Sequence, residues 1–157
     1  MQVTPTTPGT AVTASLRTDH LRLDALLKEA IAALARNDAR PATATFGAFA
    51  SGLRRHIEVE DELLFPPFER RTGMRDAGPT NVMRRDHKDI ERRLTSISAA
   101  LHDGLLPVSV GGEMRALAAL LDDHNVREEE ILYPWCDRVL DESERAAVSR
   151  RLSSPTL

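Results

Sequence analysis

The sequence predicts an all-α protein: an up-down-up-down four-helix bundle with a short C-terminal helix and a flexible N-terminal tail. Three observations predict it. Apolar residues recur at three- and four-residue steps through four long stretches, the signature of helices with one buried face. Leucine and alanine far outnumber valine and isoleucine, which favours helix over sheet. Aromatic residues are 4% of the 157-residue chain, so the core must be aliphatic.

Residues 1–12 are rich in Thr, Pro and Gly and lack periodicity, as expected of a mobile tail. From about Thr13 the helical pattern begins, with Leu16, His20, Leu23, Leu27, Ile31 and Leu34 on one face. Asn37 and Asp38 can end this helix, and Pro41 can sit in the first turn of the next. The second helix is expected to run to about Phe65 with Phe46, Phe49, Leu53, His56, Glu60, Leu63 and Leu64 inward. Pro66 and Pro67 should then break or kink it, since each lacks a backbone N–H. Gly73, Gly78 and Pro79 mark a loop, after which Thr80 or Asn81 could cap a third helix. Its face is Met83, His87, Ile90, Leu94, Ile97 and Leu101, ending near Gly104. A fourth helix carries Leu117, Leu120, Leu121, His124, Glu128, Ile131, Leu132 and Trp135, interrupted at Pro134. The bundle thus spans 13–140, and 141–157 hold a short terminal helix and tail.

Alignment of the histidines exposes an internal repeat. His56 to Arg70 reads HIEVEDELLFPPFER, and 68 residues on, His124 to Arg138 reads HNVREEEILYPWCDR. A weaker echo links DHLRLDALL from Asp19 to DHKDIERRL from Asp86. A helical hairpin duplicated head to tail accounts for both. Its two copies would pack about a pseudo-twofold axis, with equivalent residues facing each other across the core.

Four of the five histidines carry an acid four residues later: His20 with Asp24, His56 with Glu60, His87 with Glu91, His124 with Glu128. That spacing puts both side chains on one helix face, and here the leucine pattern makes it the apolar face. A single such pair is ordinarily a surface ion pair or a core histidine. Four on four successive helices is roughly a 0.3% event on composition alone, by counting matches to the spacing template. Burying several carboxylates among leucines is costly unless each is paired or bound to a metal. The inner stripes offer no Lys or Arg, so a cation is the missing partner. Imidazole and carboxylate donors without thiolate suit iron or manganese, with zinc also accepting them. The donors exceed what one ion takes, which points to two.

The order His20, His56-x3-Glu60, His87, His124-x3-Glu128, with LFP and LYP after the second and fourth helices, resembles the hemerythrin-like HHE cation-binding domain family. The resemblance covers about residues 14–140 and implies a four-helix bundle around two non-haem iron ions with a bridging oxygen species. It also implies terminal histidine ligands and bridging glutamates, carried over as His20, His56, Glu60, His87, His124 and Glu128. Two features depart from the oxygen-carrying members. Those place a second histidine four after the first on the third helix, where this chain has Glu91. They also end in H-x4-D, where this chain has His124-x3-Glu128. Both changes enrich the donors in carboxylate, which stabilises ferric iron and favours redox or sensing roles over reversible carriage. Glu91 joins the candidate metal ligands, with a role behind the ligands or facing solvent the alternative, while Asp24 lies at a position the family does not ordinarily use. The ferritin-like bundles are excluded, because they use Glu-x-x-His with the acid first.

The expected function is therefore a di-iron protein that binds or reacts with dioxygen, peroxide or nitric oxide, with oxidoreductase activity left open. The alternative is an iron, oxygen or redox sensor or storage module without turnover. The histidine and acid pattern offers no general base outside the ligand set, which argues against hydrolysis. A net charge of −3 gives no electrostatic case for nucleic acid or an anionic membrane. One cysteine precludes an intramolecular disulfide, no apolar run is long enough to span a bilayer, and no export signal is evident, so a cytoplasmic location is expected.

Other residues receive plainer readings. Asp19 and Asp86 each precede a ligand histidine and point about 100° away from it. They are read as surface residues, with a hydrogen bond to a neighbouring helix's histidine the alternative. Tyr133, nine residues after His124, would point outward on an unkinked helix, with the kink at Pro134 leaving its direction open, whereas Trp135 returns inward to cap the core. Gly52, one turn before His56, leaves room either for a small ligand or for helix packing. Cys136 reads as a small buried hydrophobe, and His102 as a residue interacting with a helix C-terminus.

Overall fold

The computed structural model describes residues 11–104 and 107–154. It is all-helical, with no strand among the described residues. The elements are α1 (Val12–Ala35), α2 (Ala39–Val59), a π-helical turn (Glu60–Leu64), α3 (Phe65–Thr72), α4 (Pro79–His102), α5 (Pro107–Arg127), a second π-helical turn (Glu128–Leu132), α6 (Tyr133–Val139) and α7 (Glu142–Ser153). The tail expected over 1–12 lies outside the described residues except for its last two, and α1 already begins at Val12.

The prolines do not end the helices. Each π turn leads directly into α3 or α6, so 39–72 is one continuous helical rod and 107–139 another. Pro66 and Pro134 sit in the first positions after the wide turn, where the hydrogen-bond ladder changes register. That is the local arrangement in which a missing N–H costs least. The third long helix starts at Pro79 rather than behind a Thr80 or Asn81 cap, and no side chain caps it. Thr80 is instead buried and donates to Glu69 Oε2 at 3.1 Å.

Contacts along the rods fix their relative direction. Asp19 meets His56, and Gly52 lies beside Leu23, so α1 and α2 run antiparallel. Arg54 meets Glu91 while Glu69 meets Thr80, so the second rod and α4 do likewise. Val12 meets Asp137, His20 meets Glu129, and Gly111 lies beside Leu34, which sets α1 antiparallel to the α5–α6 rod. Asp137 caps the start of α1, its carboxylate accepting from the backbone N–H of Val12 at 2.7 Å and of Thr13 at 3.1 Å. The short α7 begins with a capping box between Asp141 and Glu144 and lies across α1, α2 and the first π turn.

Two apolar clusters fill the interior. One gathers Leu23, Leu27, Phe46, Phe49, Leu94 and Leu117 with their neighbours; the other gathers Leu16, Phe65, Phe68, Met83, Leu132 and Val148 with theirs. On α1, His20 falls between Leu16 of the second cluster and Leu23 of the first; on α4, His87 falls between Met83 and Ile90 in the same way. The polar residues therefore form a layer sandwiched between two dry ones.

Candidate metal centre

His20, His56, His87 and His124 come one each from α1, α2, α4 and α5, and none is more than 5% exposed. Glu60 and Glu128, each the first residue of a π turn, are fully buried at 0%. The helical i, i+4 step carries each from its histidine to the same face, and the repeat places the two pairs opposite each other. The donor atoms fall into two sets: His20, His56 and Glu128 in one, and Glu60, His87, His124 and Glu128 in the other. Each glutamate reaches both histidine pairs. Glu60 Oε1 lies 3.4 Å from both His56 Nε2 and His87 Nε2. Glu128 Oε1 lies 3.4 Å from His20 Nε2 and 3.1 Å from His124 Nε2.

Each of these four imidazoles is held from behind by an acid. His20 Nδ1 lies 3.0 Å from Glu129, His56 Nδ1 2.8 Å from Asp19, His87 Nδ1 2.9 Å from Asp61 and His124 Nδ1 2.9 Å from Asp86. A carboxylate can only accept, so each Nδ1 donates and each Nε2 faces the centre. The four acids follow the repeat: Asp19 corresponds to Asp86, and Asp61 to Glu129. Asp19 and Asp86 are thus partners of a neighbouring helix's histidine, the alternative reading of their position. Asp61 and Glu129 were missed by sequence, although each directly follows a site glutamate at an equivalent place in the two repeats.

Tyr133, whose direction the sequence left open at the Pro134 kink, is the other residue at the centre that the sequence did not assign to it. Its ring is fully buried, and its hydroxyl reaches the middle of the layer. It lies 2.9 Å from Glu60 Oε2, 3.0 Å from Glu128 Oε1, 3.1 Å from His20 Nε2 and 3.3 Å from His56 Nε2. An uninterrupted α-helix would have aimed it outward. The π turn just before it carries an extra residue per turn, lags the rotation and brings the ring inside. Trp135 is half-buried, its ring edge-on to Phe68 with centroids 5.1 Å apart.

Glu91 is not brought to the centre, and the expectation for it is corrected. Its carboxylate is about half exposed and takes Arg54 Nε at 3.0 and 3.1 Å. Its helix, α4, has no π turn, and the Arg54 guanidinium draws the side chain to the surface. Asp24 pairs with Lys28 at 2.8 Å. Gly52 serves packing: a Cβ there would come within 2.7 Å of Leu23 Cδ2. A cavity of about 260 Å³ adjoins His20, walled mainly by Leu23, Leu27, Phe49, Leu53 and Leu121.

The electrostatics describe a site short of positive charge. Burial on its own would lower His20, His87 and His124, but the facing carboxylates outweigh it, chiefly Glu128 at His20 and Asp61 with Glu60 at His87. His20 is raised to about 9 and His87 to about 10, and His124 is raised too, chiefly by Glu128. Burial and the Glu128 charge raise Glu60. Glu128 is held well down despite burial, by hydrogen bonding with Glu60 and by His124 and His20. Burial and the two glutamates keep the Tyr133 phenol protonated. Even so, Glu60 Oε1, His87 Nε2 and Glu128 Oε2 are buried with no hydrogen-bond partner. A cation held among these two carboxylates and the imidazole would satisfy atoms that are costly to leave unpaired. The residues therefore fit a metal site of nitrogen and oxygen donors.

The model of the hemerythrin HHE cation binding domain matches residues 11–136, which include all four histidines and both glutamates. No curated protein and no solved structure matches the chain.

Proposed function

The chain belongs to the hemerythrin HHE cation-binding family, and on that footing we propose that it holds two non-haem iron ions and binds or reacts with dioxygen, peroxide or nitric oxide. The observation that carries this is the pair of buried donor sets that share Glu128 and leave three donor atoms without a partner. In this reading His20 and His56 serve one ion and His87 and His124 the other, with Glu60 and Glu128 between them. Iron is favoured over manganese or zinc by the family, the donor set being acceptable to all three. The frame is an up-down-up-down four-helix bundle, supported by the antiparallel pairings. The expected site of action is the cytoplasm, in keeping with the absence of any membrane-spanning helix among the described residues.

Iron, when bound, supplies the electrons and Lewis acidity for such chemistry. The chain supplies the rest. Asp19, Asp61, Asp86 and Glu129 hold the imidazole rings in one tautomer, with Nε2 inward. Glu60 and Glu128 tie the two histidine pairs together. The apolar clusters above and below exclude water, which limits proton leakage and strengthens every charge interaction in the layer. For the peroxide-directed version, iron-loaded protein is compared with a His56→Ala variant in steady-state peroxide consumption. Faster consumption by the wild type is expected; equal rates remove the enzymatic version.

A sensor or storage role is the second reading, and the placement of α7 supports it. This helix packs on α1, α2 and the π turn that begins at Glu60, so a change at the centre has a direct route to the surface. Hydrogen exchange in α7 should then slow on metal loading. Identical protection with and without metal would remove this role.

A further inference from the structure

We propose that the Tyr133 hydroxyl oxygen is a donor to the same ion as His20 and His56, which leaves the exogenous ligand to the His87 and His124 side. This rests on the two-ion reading above and deepens it. The hydroxyl is surrounded by four donor atoms at 2.9 to 3.3 Å, two carboxylate oxygens and two imidazole nitrogens. Donors on adjacent corners of a six-coordinate ion with bonds of about 2.1 Å stand roughly 3 Å apart. The Tyr133 oxygen has that spacing to His20, His56, Glu60 and Glu128 alike. Once the imidazoles bind an ion neither Nε2 carries a proton to donate to the phenol, and the phenol's one proton serves only one carboxylate, so hydrogen bonding alone does not then use the arrangement.

The repeat supplies an internal control. Tyr133 corresponds to Phe65 in the other copy. Phe65 has no donor and stacks on His87, with centroids 5.6 Å apart and rings 14° from parallel. The two histidine pairs therefore differ in one respect. His20 and His56 have a third oxygen donor of their own, whereas His87 and His124 share only the two glutamates. His87 Nε2 is also an orphaned atom, on the side that lacks the hydroxyl. The side with fewer protein donors is the one that can accept a diatomic molecule or peroxide. The charge of a ferric ion would outweigh the burial and carboxylate charges that otherwise keep the phenol protonated; the proton would leave to solvent as the ion enters, and no electron moves.

The test uses the fact that Tyr133 is the chain's single tyrosine. Any phenolate-to-iron(III) charge-transfer band, with its resonance-enhanced ring vibrations, can arise from no other residue. The ferric wild-type protein should show the band, and Tyr133→Phe should lose it while still binding iron. Iron bound at about two per chain without the band overturns the proposal and leaves the two-ion reading intact. In that event Tyr133 merely hydrogen-bonds the glutamates and moves aside. No bound iron overturns both. Nitric oxide added to the ferrous protein tests the second half. Its affinity should survive Tyr133→Phe and fall at least tenfold in Phe65→Tyr, which adds an oxygen donor beside His87. Equal affinity in Phe65→Tyr and wild type, with iron content unchanged, overturns the assignment of the exogenous ligand.

Discussion

Asp19 stands next to His20 in the chain, yet its carboxylate holds His56, at 2.8 Å from Nδ1. The equivalent pair in the second repeat is Asp86 and His124, at 2.9 Å. Asp61 and Glu129 do the same for His87 and His20. Each helix thus positions the imidazole of another, and the centre is assembled only when all four rods are in place.

That arrangement makes Asp19 a positioning residue. Asp19→Ala should weaken iron binding about 10- to 100-fold, as removal of a hydrogen bond behind a metal-ligating histidine does. Competition with a chelator measures it, and the circular dichroism of the helices should not change. Unaltered affinity would reduce the Asp19–His56 contact to a surface interaction.

His124 contributes a donor outright. Bound metal should stabilise the wild-type fold by about 3 to 4 kcal/mol at 100- to 1,000-fold excess over Kd. His124→Ala should lose most of that increment and hold fewer ions per chain. If melting temperature and metal content were both unchanged, the polar layer would be purely structural.

Without metal, stability should depend on pH. Histidine in an unfolded chain titrates near 6.5, whereas His20 and His87 are raised to about 9 and about 10 in the fold. A folded value above the unfolded one gives a contribution that is complete below pH 6.5. It is lost as pH rises through the folded values. The melting temperature of metal-free protein should therefore fall between about pH 6.5 and 10. Loaded protein, whose imidazoles carry no Nε2 proton, should lack this fall. A flat or rising profile for the metal-free form would contradict the charged state of these histidines.

Glu91 gives the opposite kind of prediction. Its contact with Arg54 is a surface pair with both side chains substantially exposed, and such pairs contribute about 0 to 1 kcal/mol. Glu91→Gln should leave the metal content unchanged and shift stability by no more than that. Loss of metal in this variant would restore Glu91 to the ligand set.

The helices and most of the inner stripe were legible because both follow from a period near 3.6, although Ile131, inside the second π turn, is exposed; the two HxxxE pairs were legible from their repeat. What escaped was decided by departures from that period. The π turns at Glu60–Leu64 and Glu128–Leu132 have no strong local signature, yet they turn Tyr133 inward and let the helices pass Pro66 and Pro134. Asp61 and Glu129 were hidden among neighbouring acids, and only tertiary packing shows which carboxylates meet an imidazole. Glu91 satisfied the same spacing rule as Glu60 and Glu128. Spacing alone could not register that Arg54, across the α2–α4 contact, would claim it.

The central claim is that the buried histidines and glutamates hold two metal ions. Metal content per chain tests it most directly, on protein purified without chelator and without a histidine tag. The account predicts about two ions per chain, with iron dominant, as two sets of nitrogen and oxygen donors require. Zinc alone would remove the redox function. No metal at stoichiometric level would contradict the account altogether.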